Sequence, residues 1–248
     1  MKTEKLSDTI TIINADCHEW SGVADAVISD PPYGMDWIFT GQGSGTNAQG
    51  GKNSVTKGQR IEGDAEDFDP APWLLFPRVV LWGFHHYPQH LERGTVLVWV
   101  KKYFDAWDTF LSDADLAWMK GGCGVYLSAT INPAKFQAEK VHPTQKPVEL
   151  MSWCMDKAKV DTGATVLDPY MGSGTTGIAC IRTGRRFIGI EIDEQHYQTA
   201  RKRLMAELAQ TNLFRQDEDA RAGQGECPGT ACNSASPKAA QESLELGL

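Results

Sequence analysis

Thr165-Val166-Leu167-Asp168-Pro169-Tyr170-Met171-Gly172-Ser173-Gly174-Thr175-Thr176 runs from a short apolar β-forming stretch, through a glycine turn, into a helical pattern. Residues 165–168 read as a buried strand and residues 174–183 as a helix opening on Gly and Thr. Gly172 and Gly174 permit a tight turn and a close backbone approach to a ligand. Arg186 to Glu191 reads as the next strand, and Glu191 closes it 23 positions after Asp168. A carboxylate at that place suits the hydroxyls of a bound ribose, so Val166 to Glu191 has the logic of an adenosine-binding βαβ unit. Gly172, Gly174 and Gly177 also fit G-x-G-x-x-G by count, which keeps a nicotinamide-dependent oxidoreductase as a rival. The lysine of a Walker loop is missing, which argues against a nucleoside triphosphatase.

The same alternation extends outward from this unit. Pro147 to Lys159 fits a helix with proline in its first turn. Asp193 to about Gln210 fits an amphipathic helix capped by Asp193. Upstream, Ile10–Asn14, Ala26–Asp30 and Val96–Val100 read as strands. The stretch from about 103 to 140 reads as irregular, and residues 41–63 are so rich in Gly, Ser, Asn and Gln that they read as a long loop or lid. Strands followed by helices of this length predict an α/β, Rossmann-like fold, with a mostly parallel sheet and helices on both faces. Ligands then sit at the carboxyl ends of the strands. Asp30 and Asp168 each end a strand, so both are expected to project into one crevice.

Composition narrows the classes. The chain has 248 residues and a formal net charge of −8. That charge argues mildly against nonspecific nucleic-acid binding, but local charge in a cleft decides phosphate contact. No apolar run approaches the roughly 20 residues that span a bilayer, and the first residues are not of signal-peptide type; a cytoplasmic location is expected. Six cysteines are scattered without a CxxC pair or zinc-ligand spacing. His85, His86 and His90 lack carboxylate companions, so no metal site is expected. Cys154 and Cys180 lie in apolar patterns and read as buried thiols. Beyond Arg215 the chain turns to Gly, Ser, Ala, Pro and charge; residues 215–248, with three basic and six acidic side chains, read as a disordered tail.

Asp30-Pro31-Pro32-Tyr33-Gly34 follows a strand directly. An aromatic amine is a poor nucleophile because its lone pair is delocalised into the ring. Two acceptors held at its N–H groups localise that pair, and the Asp30 carboxylate and the Pro31 carbonyl are candidates. Proline restricts φ and so presets the carbonyl direction. Asp30 also opposes positive charge that grows on nitrogen. Tyr33 offers a ring for a base drawn out of a duplex.

These residues resemble the amino-group DNA methyltransferases that carry an Asp/Asn/Ser-Pro-Pro-Tyr motif. Three motifs carry the resemblance: Asp30–Tyr33, then His142-Pro143-Thr144-Gln145-Lys146-Pro147, then Asp168–Thr176. Trp82–Tyr87 and Leu97–Lys101 look like intermediate blocks of small phage or prophage members. The order is that of the circularly permuted beta group, and the likeness covers about residues 10 to 207. It implies an S-adenosylmethionine-dependent methyltransferase fold with the catalytic half before the cofactor half. Asp30, Pro31, Pro32 and Tyr33 are then catalytic. Asp16, Asp168, Pro169, Met171, Gly172, Ser173, Gly174, Thr175 and Glu191 bind S-adenosyl-L-methionine, with Thr144, Gln145 and Lys146 near its methionine end. Lys146 either faces the cofactor carboxylate or is a solvated cap residue, and Asp16 either approaches the cofactor adenine or simply forms a turn.

The implied domain is 1–214, with a lid at about 36–63 and a short target-recognition region at about 103–140. Double-stranded DNA is the implied partner, with no membrane or metal; a homodimer is an allowed assembly. Lys52, Lys57, Arg60, Lys101, Lys102, Lys135 and Lys140 are candidate phosphate contacts, with Lys120 beside them. So short a module suits a short or relaxed target sequence. The implied reaction is methylation of adenine N6, with cytosine N4 or a catalytically silent DNA-binding homologue as alternatives.

Overall fold

A computed structural model describes residues 1–34, 67–101, 112–129 and 145–222, with side chains described to residue 211. The chain divides into one unit, Met1–Thr211, and a second, Asn212–Leu248. In the first unit nine strands form one sheet. They are β1 (Lys2–Lys5), β2 (Ile10–Asn14), β3 (Ala26–Ser29), β4 (Arg78–Trp82), β5 (Thr95–Val100), β6 (Ala114–Met119), β7 (Val125–Ser128), β8 (Thr165–Asp168) and β9 (Arg186–Glu191). Among the described residues the α-helices are α1 (Val148–Lys157), α2 (Thr175–Arg182) and α3 (Glu194–Ala222).

The order across the sheet is β1-β2-β9-β8-β3-β4-β6-β5-β7. Pairing is parallel from β2 through β9, β8 and β3 to β4, and again between β5 and β7. It is antiparallel for β1 on β2 and for β6 on both β4 and β5. The sheet is therefore mostly parallel, as the sequence predicts. β3 precedes β8 by more than 130 residues in the chain yet is its hydrogen-bonded neighbour, with Val27 opposite Leu167. That adjacency brings the Asp30 loop and the glycine turn to the same end of two touching strands.

Period-two alternation sorts the strands' side chains onto two faces. Ile10, Ile12, Ala26, Ile28, Val80, Trp82, Leu97 and Val166 join the core that α1, α2 and α3 cover. Ile13, Val27, Val79, Leu81, Leu167 and Ile190 form a second core with Phe68, Trp73, Tyr87 and Trp118. Among the described residues all three α-helices lie on the first face. The second is roofed by short 3-10 turns at Cys17–Glu19 and Trp73–Leu75 and by aromatic side chains.

Two readings change. The stretch from 103 to 140 is not irregular where it is described, because it supplies β6 and β7. α3 continues past Arg215 to Ala222, just short of Gly223. Its start is as expected, with the Asp193 carboxylate accepting from the His196 amide at 2.7 Å. Cys154 and Cys180 are fully buried, as read. Among the described residues no helix is long and apolar enough to cross a membrane.

Candidate functional site

The site is built at the carboxyl ends of β3, β8, β9 and β2. Asn14 closes β2 opposite Glu191, and its side-chain amide donates to the Glu191 and Ile192 carbonyls at 3.0 and 3.2 Å. Beyond it the exposed Asp16 accepts from the His18 amide at 2.9 Å and caps a short turn. This is the turn-forming role, placed at the rim of the same crevice.

Glu191 holds the glycine turn from below. Its Oε2 accepts from the Gly172 amide and its Oε1 from the Asp193 amide, both at 2.9 Å. Each oxygen keeps a further lone pair, which is the acceptor set that vicinal hydroxyls need. Burial is the main cause of a raised Glu191 pKa. Gly172 has φ +51°, and a Cβ built on it meets no atom within 4 Å. Space that no protein atom fills over a left-handed turn is what a closely approaching adenosine-type ligand requires. Gly174, at φ +80°, instead faces Ala200 of α3, and Gly177 lies against Phe187 and Leu204. The first glycine thus opens onto the crevice, while the other two let α2 and α3 pack closely.

Several residues assigned here by resemblance turn away from the crevice. Asp168 is buried, accepting from Ser29 Oγ and Thr176 Oγ1, both at 2.6 Å, and from the Tyr170 amide at 3.2 Å. It does not project beside Asp30; it ties β3, β8 and α2 together just below the site. Met171 is buried in the helix-covered core, beside Gly189. Pro169 is buried as well. The buried Ser173 is held by Arg203 of α3, which donates to its carbonyl and, at 2.9 Å, to its hydroxyl. Buried Thr175 lies 3.5 Å from the same guanidinium. These side chains shape the turn; its backbone and Gly172 face the open space.

Burial pushes the Asp168 carboxyl up to about 6, against the pull of its three donors. The folded state then binds more protons than the unfolded one between the ordinary carboxylate range and about 6. The stability this provides is present at low pH and is lost as pH rises through 6. Asp168→Asn should remove it. The urea midpoint of wild type should fall relative to that of the variant between pH 4 and 7, by the equivalent of about 2–3 kcal/mol. Parallel curves would contradict this reading of Asp168.

Asp30 itself is mostly buried, with one strong donor on each carboxylate oxygen. Tyr33 Oη donates to Oδ1 at 2.5 Å, and Lys146 Nζ donates to Oδ2 at 2.7 Å. Lys146 is 7% exposed, so it is not a solvated cap residue, and the carboxylate it faces is that of Asp30. Its ammonium also lies 3.6 Å from Asp115 Oδ2 and 5.5 Å from the Trp82 ring centroid. Burial disfavours the charged lysine, but Asp30 and Asp115 outweigh it and raise its pKa. The Tyr33 ring stacks on His86, with centroids 4.8 Å apart and planes 13° apart. Its edge fits against Gly83 at φ +73°, where a Cβ would overlap the ring.

Among the phosphate candidates, Lys101 is engaged with Asp115 at 2.7 Å, and Lys120 donates to the Leu74 and Phe76 carbonyls at 2.8 and 2.9 Å. Both are tied into the fold rather than free for DNA. Gln145 is buried beside Lys146 in sequence. Thr144, Lys52, Lys57, Arg60, Lys102, Lys135, Lys140 and the lid at 36–63 lie outside the described residues.

Sequence reasoning missed Asp115. β6 runs antiparallel to β4, so its first residues lie at the same end as the last residues of its neighbour. An acid at the start of an antiparallel strand therefore reaches a crevice formed by the ends of parallel ones. The apolar run Leu116-Ala117-Trp118-Met119 directly after Asp115 was the available signal.

Residues 124–202 match a family model described as DNA methylase. The match takes in β7, α1 and the glycine turn, and stops short of Asp30–Tyr33. The chain is 50% identical over 66 residues to type II methyltransferase M2.DpnII of Streptococcus pneumoniae, which is 27% of this chain and 24% of that protein. It is 43% identical over 63 residues to type II methyltransferase M2.LlaDCHI of Lactococcus lactis subsp. cremoris, 25% of this chain and 23% of that one. The matched stretch thus spans about a quarter of these curated relatives. A crystal structure of M1.HpyAVI superposes with a TM-score of 0.50 at 21% identity, covering 79% of this chain and 98% of that one. That likeness concerns the fold.

Proposed function

We propose that this chain, whose residues 124–202 match a DNA methylase family model, transfers a methyl group from S-adenosylmethionine to the N6 amino group of a flipped adenine in duplex DNA. The observation that carries this reading is the adjacency of β3 and β8, which brings the Asp30 loop and the open turn at Gly172 to the same end of two touching strands. The bound cofactor supplies an electrophilic methyl on a sulfonium. Gly172 gives it room, and the remaining lone pairs of Glu191 accept from its ribose hydroxyls. Asp30, with the Pro31 carbonyl, accepts from the two N–H groups of the target amine and then opposes the positive charge that develops there. Tyr33 stacks on the extrahelical base.

Action on DNA in the cytoplasm goes with this reading, and so does a role beside a restriction endonuclease. Recognition of a short target falls to residues about 103–140 and to the lid. The test is incubation of duplex DNA with methyl-labelled cofactor, followed by digestion to nucleosides. Label in N6-methyldeoxyadenosine is expected. Label in N4-methyldeoxycytidine overturns the choice of base, and unlabelled DNA overturns the reaction.

Gly83 offers a check on Tyr33. Gly83→Ala places a Cβ inside the ring and strains a left-handed backbone by about 1–2 kcal/mol. Transfer should fall on the order of 10²-fold as Tyr33 is displaced, while cofactor affinity holds. Unchanged transfer would dismiss Tyr33 as the stacking platform.

A further inference from the structure

Four charged side chains form a continuous chain through the site, and only Asp30 among them has a part in the reaction described above. Lys101 Nζ is 2.7 Å from Asp115 Oδ1, Asp115 Oδ2 is 3.6 Å from Lys146 Nζ, and Lys146 Nζ is 2.7 Å from Asp30 Oδ2. All four are largely buried, with side-chain exposures of 28, 27, 7 and 20% in the order Lys101, Asp115, Lys146, Asp30. Two carboxylates balance two ammoniums, as a partly desolvated cluster requires.

This arrangement opposes the reaction as it stands. Each Asp30 oxygen holds one strong donor, Tyr33 on one and Lys146 on the other, and keeps a lone pair for a base amino group. An ammonium left on Asp30, however, neutralises the carboxylate and opposes the positive charge that grows on the amine. Lys146 therefore needs another acceptor within reach, and Asp115 Oδ2 is that acceptor, one small side-chain movement away.

We propose that Asp115 is a positioning residue that takes Lys146 from Asp30 as the target base enters, and so leaves the Asp30 charge to oppose the one that develops on the amine. The inference rests on the methyl-transfer reading. Lys101 keeps Asp115 ionised and pointed at the exchange. Asp115 is held below the usual carboxylate range because Lys146 and Lys101 together outweigh its burial. The charged and titratable groups facing Lys146 and Asp115 are Asp30 and Tyr33 from the loop after β3, Lys101 from the end of β5, His85 from the turn after β4 and Cys154 from α1.

The test is Asp115→Asn in the full-length protein. With Lys146 left on Asp30, kcat should fall on the order of 10- to 100-fold, with the KM for DNA and cofactor affinity unchanged. Lys146 has then lost one of its two carboxylates and gives up its proton at lower pH. A neutral lysine no longer opposes the growing charge, so the variant should regain activity as pH rises through a range where wild type is flat. Asp115→Glu should restore much of the rate at neutral pH. A second reading needs no turnover: amine acylation of Lys146, followed by mass spectrometry, should reach half its maximum at lower pH in Asp115→Asn than in wild type. An active wild type with an Asp115→Asn variant of equal kcat, or a reduced kcat with no pH-dependent recovery, overturns the role of Asp115. An unshifted Lys146 acylation profile overturns it too. A wild type that methylates no DNA overturns the methyl-transfer reading on which it rests.

Discussion

Asp30→Ala is expected to lower kcat by at least about 10³-fold while the dissociation constant for S-adenosylmethionine stays within about twofold. The carboxylate that accepts from the amine is gone, and the turn at Gly172 is untouched. Lys146 is the side chain at risk in this variant, being 7% exposed and paired with Asp30 at 2.7 Å. Asp115 lies 3.6 Å from the same ammonium and keeps it compensated, so the fold should survive. Asp30→Asn preserves the volume and gives a second reading free of the cavity. Isothermal calorimetry for the cofactor and single-turnover transfer on DNA separate the two effects. Wild-type transfer in either variant removes Asp30 from the chemistry.

Gly172→Leu should produce the opposite pattern, with cofactor binding weakened on the order of 10²-fold or more. The Cβ itself meets nothing within 4 Å, so the substitution costs the fold only the left-handed backbone strain, about 1–2 kcal/mol. The longer side chain instead fills the space assigned to the ligand. Gly177→Val is the control, because its Cβ would lie 2.7 Å from both Phe187 and Leu204. It should depress the unfolding midpoint, and any lost binding should follow from that. Normal cofactor affinity in a folded Gly172→Leu protein would move the cofactor site elsewhere.

The contrast between these glycines marks how far the sequence could be read. The βαβ unit from Thr165 to Glu191 was legible because a buried strand, a glycine turn and a helix follow one another within 30 residues. The direction of each side chain around the turn was not. Asp168 ends a strand, as Asp30 follows one, yet Ser29 and Thr176 hold it inward. Nothing local announces Ser29, which is 139 positions away. β4 was missed because Val79, Val80, Leu81 and Trp82 are all buried and show no alternation to mark a strand. β6 and β7 were missed for a different reason. β6 enters between β4 and β5 against the direction of the sheet, and chain order does not encode that insertion. Lys101, Lys120 and Lys146 look like surface charge in the sequence. Their actual partners, a carboxylate on β6, two carbonyls near residue 75 and Asp30, are all distant along the chain.

The central claim is that the loop after β3 and the turn after β8 face one another across a shared ligand. Crystals grown with S-adenosylhomocysteine test it most directly. The account predicts the ribose on Glu191, the adenosine over Gly172, and the sulfur turned towards the Asp30 carboxylate. Density for the ligand at another edge of the sheet, or with its sulfur directed away from Asp30, would contradict it.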